Sequence, residues 1–94
     1  MTYQLASAAE KARHQREARQ LDAVRITFPG WEIDRFVSDD GVTWTARLRR
    51  DISPQMREAG VLPVVERPDA PSLVSALSAQ VELIHRTRAY TWPT

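Results

Sequence analysis

The sequence predicts an α+β domain: a three-stranded, mostly antiparallel sheet with N- and C-terminal helices packed on it, in the order α-β-β-α-β-α. Three observations carry this. Trp31 to Arg49 alternates apolar and polar residues on both sides of Asp40-Gly41, a turn dipeptide whose glycine tolerates positive φ. Residues 4–27 contain no Pro or Gly and are rich in Ala, Gln, Glu and Arg, mostly good helix formers. Leu73, Leu77, Val81 and Ile84 recur at i, i+4, i+8 and i+11, one stripe of a second long helix.

In the first helix, Leu21, Val24 and Phe28 form a docking face on the C-terminal half, narrowed by Arg25. The N-terminal half offers only Leu5, Ala8, Ala9 and Ala12, too little for a strong core contact. Residues 1–18 are therefore expected to fray, protrude or pack on a partner helix. Pro29-Gly30 stops the helix.

The hairpin follows. Its core face is Trp31, Ile33, Val37, Val42, Trp44, Ala46 and Leu48. Two registers fit. With Asp40-Gly41 as the loop, Val37 faces Trp44, Asp34 faces Arg47 and Glu32 faces Arg49. A longer Ser38–Gly41 loop shifts the pairing by two, keeps the faces and places Glu32 opposite Arg47. Opposite charges across the wet face contribute about 0.2–1 kcal/mol per pair. Arg35 is the one misfit on the core face. It reads as an edge residue whose head reaches water along its aliphatic stem, or as a ligand contact.

Ser53-Pro54 reads as an N-cap with Pro at the first helical position, and the short helix to Ala59 ends at Gly60 in the C′ position. Val61 to Arg67 is the third strand. Pro63 cannot donate to a ladder, so this strand lies at an edge or begins after it. Asp69 caps the last helix, with Pro71 in its first turn, and Val74 and Leu83 widen the apolar stripe. The segment Thr87–Thr94 reads as a tail that folds back or serves as a short docking segment.

Size and composition limit the function. Ninety-four residues make one domain (1–94) with one modest core. Cysteine is absent, which removes disulfides and thiolate metal sites. No apolar run approaches a membrane span, and the N-terminus lacks a signal peptide's apolar region, so a small soluble domain in the cytoplasm is expected. Net charge is +1, too small to indicate nucleic acid by itself. Residues 1–28 carry five basic side chains against three acidic ones, so the small positive excess sits in the first helix.

Local chemistry is sparse. The two histidines are His14, in the polar half of the first helix, and His85, near the end of the last, where a cation interacts favourably with the helix dipole. Asp39-Asp40-Gly41 is sufficiently explained as a turn, since the alternating ligands and distal Glu of an EF-hand loop are missing. No HExxH, GxSxG, P-loop or GxGxxG occurs. No catalytic residue, metal ligand or cofactor is assigned, and the expectation is a non-enzymatic module.

Two resemblances add to this reading. Phe28-Pro29-Gly30-Trp31, the second-strand run Trp44-Thr45-Ala46-Arg47, Ala59-Gly60, and Leu73, Leu77 and Gln80 together resemble a group of small uncharacterised actinobacterial proteins. That likeness covers most of residues 20–82 and implies no activity. The order of hairpin, third strand and helix, with Val64-Val65 through Leu83 as the matching stretch, is similar to the HicB-type antitoxin domain. It implies a partial RNase H-like sheet and an antitoxin role. The long first helix and the Ser53–Gly60 segment depart from that pattern.

Two binding roles are expected. A protein partner, a second copy of the chain included, would be contacted by Arg13, Arg16 and Arg19 on the first helix and by Tyr90 and Trp92 in the tail. In the alternative, nucleic acid would be tracked by Arg47, Arg49 and Arg50 on and beside the polar face of the second strand, with Phe36 to stack a base.

Overall fold

The computed structural model describes the backbone of residues 2–91 and the side chains of residues 8–9 and 11–87. Its elements are α1 (Thr2–Thr27), β1 (Trp31–Ser38), β2 (Gly41–Leu48), α2 (Pro54–Glu58), β3 (Val64–Arg67) and α3 (Ala70–Thr91). The three strands form one sheet in the order β1-β2-β3, antiparallel throughout. This is the α-β-β-α-β-α order that the sequence predicts.

The hairpin adopts the register of the longer loop. Glu32 pairs with Arg47, Ile33 with Ala46 and Val37 with Val42, and the ladder closes at Ser38 and Gly41. Gly41, at φ 131°, opens β2, and Asp39 and Asp40 make the turn. The glycine serves the first residue after the turn, which only a residue lacking Cβ adopts readily. No ion pair forms between Glu32 and Arg47, although they face each other.

Trp31, Ile33, Trp44, Ala46 and Val65 are buried on one sheet face, against Leu73, Leu77 and Ile84 of α3, Val24 of α1 and Phe28 just after it. Met56 of α2 and Val61 close the core at one end. Val37 departs from expectation. It points to the core side of its strand, yet it is 64% exposed, because the helical layer does not cover the hairpin tip. The other sheet face carries Glu32, Asp34, Phe36, Thr43, Thr45, Arg47, Val64 and Glu66 and has no covering layer, an arrangement open to antiparallel sheets.

α3 differs from its expected pattern in two ways. The buried row is Leu73, Leu77, Gln80 and Ile84, with Val81 only half-buried beside it. An amide thus occupies the centre of an apolar stripe. It is satisfied there: Leu62 N–H donates to Gln80 Oε1 at 2.8 Å and Gln80 Nε2 donates to Gly60 O at 3.3 Å. The helix also runs on to Thr91, so Thr87–Thr91 is not a tail that folds back. Nothing in Thr87-Arg88-Ala89-Tyr90 breaks a helix before Pro93.

The connections match their sequence signals. Ser53 caps α2, its Oγ accepting from Met56 N–H at 3.1 Å. Gly60, at φ 98°, ends it in a Schellman arrangement, in which Val61 N–H donates to Met56 O and Gly60 N–H to Arg57 O. β3 begins directly after Pro63 and is an edge strand. Asp69 caps α3, accepting from Ser72 N–H at 2.8 Å. The backbone and side-chain hydrogen bonds from Ser72 hold the Asp69 carboxyl below its ordinary value of 3.8. A carboxyl lowered on folding adds stability above the unfolded value, and that contribution is lost as pH falls through the folded one. In melts between pH 6 and pH 2.5, the advantage of the parent over Asp69→Asn should therefore shrink at the acid end. An advantage that stays constant with pH would contradict the cap's charge dependence.

Candidate functional site: two sets of arginines and an open sheet face

α1 has two halves with different work. Leu21 and Val24 pack on the core, and two charged links hold the helix to the free edge of β1. Arg25 Nε donates to Ile33 O at 2.8 Å, and its Nη2 reaches Asp34 Oδ1 at 3.1 Å. The Ile33 carbonyl points away from β2, so Arg25 satisfies an edge acceptor that another strand could otherwise engage. Arg35 Nη2 meets Glu17 Oε2 at 2.6 Å, with 15% of the Arg35 side chain exposed. Arg35 does lie on an edge strand, as expected, but its head does not reach free water, because Glu17 of α1 holds its guanidinium.

Beyond Glu17 the helix stands clear. Every described side chain from Ala8 to Gln20 is exposed except that of Glu17. Arg13, Arg16 and Arg19 lie here with Lys11, and none of the four makes an ion pair among the described residues. The Cα radius of gyration is 17.2 Å, against about 12 Å for a compact domain of this length, and the long axis extends 67 Å. A 26-residue helix about 39 Å long accounts for much of that elongation.

The second-strand arginines do not form one face. Arg47 lies on the open face, beside Glu32 on one side and Val64 on the other. Arg49 and Arg50 follow the end of β2, and the Arg49 N–H donates to Gly30 O. β3 also brings Glu66 next to Thr45. The open face therefore holds Glu32, Asp34 and Glu66 around a single arginine, the wrong sign for a phosphate backbone. Phe36, 58% exposed, stands at the hairpin end of this acidic face.

Arg50 instead joins Arg47 and Arg57 in lining an open groove of about 680 Å³ at the meeting of β2, α2 and the start of β3. Arg57 was not legible as a site residue. It sits on a five-residue helix whose direction depends on the burial of Met56 and on the Gly60 turn, and neither fixes where the arginine lands.

The remaining expected residues are soon placed. Tyr90 lies in the last turn of α3, and Trp92 falls outside the described residues. His14 is exposed, with Nδ1 4.0 Å from Glu17 Oε2. His85 is exposed and six residues short of the end of α3, so it is not at the helix terminus. Among the described residues, no group of three or more His, Cys, Asp or Glu side chains is placed to hold a metal ion, and no helix is long and apolar enough to cross a membrane.

These features define a small α+β domain with one helix-covered sheet face, one open sheet face and a projecting basic helix. No family model, curated protein or solved structure matches the chain.

Proposed function

We propose that this protein is a non-enzymatic interaction module of the cytoplasm whose main contact surface for a protein partner is the projecting half of α1. The exposure of the described side chains from Ala8 to Gln20, Glu17 apart, carries this reading. An isolated helical stretch of this length is marginal in water, and this one draws little support from the core. Docking on a partner would supply the missing stabilisation. Lys11, Arg13, Arg16 and Arg19 are solvated and make no ion pair among the described residues, which suits an acidic partner surface.

Nucleic-acid binding, including an antitoxin-like role, is the second reading. The same four cations favour it, whereas the acidic open face weighs against the strand arginines. Removing residues 1–16 separates arm from body, because the cut falls ahead of Glu17 and leaves its ion pair with Arg35 in place. The truncated chain should melt within about 3 °C of the parent, as changes to a solvated segment do, and should lose its partner. Full retention of partner binding would contradict the arm's role. Binding that survives nuclease supports a protein partner, while binding lost with nuclease and falling steeply with salt supports the second reading.

A further inference from the structure

We infer that the groove lined by Arg47, Arg50 and Arg57 is a binding site, separate from α1, for an acidic peptide segment that carries an apolar residue. Three arginines from three places in the chain, the end of β2, the bend after it and α2, line one groove of about 680 Å³. Among the described residues Asp51 is the only acidic one in its lining. None of the three arginines makes an ion pair or side-chain hydrogen bond among the described residues; Arg47 also borders the acidic open face beside Glu32, so the groove's free positive charge rests chiefly on Arg50 and Arg57. Such a cluster repels itself and attracts an anion.

The walls favour a particular kind of anion. Leu62 and Val64, two of the exposed large apolar side chains of the domain, flank the arginines at 45% and 43% exposure. Among the described residues no aromatic side chain lines the groove, so they offer no platform on which a base could stack. Carboxylates spaced along a peptide can reach guanidinium groups on separate elements, and an apolar side chain between them can cover Leu62 and Val64. The wall carrying Leu62 is also fixed in place. Gln80 binds it through Leu62 N–H and Gly60 O, and Leu48 N–H donates to Pro63 O at 2.9 Å. A preformed groove loses less entropy when it binds.

The test uses the full chain and a fluorescein-labelled peptide of alternating Glu and Leu, read by anisotropy, with a Gln/Leu peptide as control. The Glu peptide should bind and the Gln peptide should not. Arg50→Glu and Arg57→Glu should each weaken binding about tenfold or more, whereas Arg86→Glu on α3, an exposed arginine outside the groove lining, should leave it unchanged. Both groove residues are exposed, so the variants should melt within about 2 °C of the parent. Amide shifts on titration should centre on Leu62 and Val64. Absence of binding, equal binding of the Gln peptide, or indifference to Arg50→Glu and Arg57→Glu would overturn the site. So would displacement of the peptide by an equal concentration of a single-stranded oligonucleotide, which would assign the groove to nucleic acid.

Discussion

Trp44→Ala should destabilise the domain by about 3–5 kcal/mol, the range for deleting a large buried aromatic. Trp44 is 3% exposed at the middle of the central strand, with Arg35 opposite it on β1 and Arg67 on β3. Its ring fills the space between sheet and helical layer, and neither edge strand carries a large apolar side chain in that row to close the cavity. A domain of this size loses about 4–8 °C of melting temperature per kcal/mol, so the expected fall exceeds about 12 °C. Val37→Ala serves as the control from the same side of the sheet. At 64% exposure, Val37 should change stability by no more than about 0.5 kcal/mol. A Trp44→Ala variant that melts within a degree or two of the parent, or a Val37→Ala variant that matches it, would show that the faces are misassigned.

Gln80→Leu should cost about 1–3 kcal/mol despite placing an apolar residue in an apolar row. The amide is 7% exposed and serves both a donor and an acceptor of the loop between α2 and β3. Leucine leaves Leu62 N–H and Gly60 O without their side-chain partner, and such half-buried groups cost free energy unless water reaches them. The loss should be local as well as global. Hydrogen exchange of the Leu62 amide should lose protection more than the amides of β2, and the melting temperature should fall by roughly 5–20 °C. Unchanged protection at Leu62 would mean that the loop is held without Gln80.

The same residues show how far the fold can be read from sequence. The hairpin faces were legible because alternation is a local property and a slip of two residues preserves it. The register was not, because Asp40-Gly41 permits both a turn that contains the glycine and one that precedes it. The caps at Ser53, Gly60 and Asp69 were legible because each acts within a few residues of itself. The apolar stripe took in Val81 and passed over Gln80, since the need for an amide at 80 arises only when residues 60–62 arrive from eighteen or more positions away. Arg35 was visible as a misfit, but its partner Glu17 lies on another element and nothing local points to it.

The candidate sites follow the same division. Exposure of Arg13, Arg16 and Arg19 agrees with the poor apolar stripe around them, a feature of one helix alone. The grouping of Arg47 and Arg50 with Arg57, and the exclusion of Arg49, depend on how α2 packs against the sheet end. That packing is set by Met56 and Val61 in the core, so the arginines are carried to the groove by residues that bear no charge.

The most direct measurement of the central claim is affinity co-purification of the full chain from native lysate, with and without nuclease, alongside the triple variant Arg13→Glu, Arg16→Glu, Arg19→Glu. The interaction-module account predicts a stoichiometric protein that survives nuclease and disappears with the triple variant. Nucleic acid in the untreated sample, with no protein left after nuclease, would contradict it.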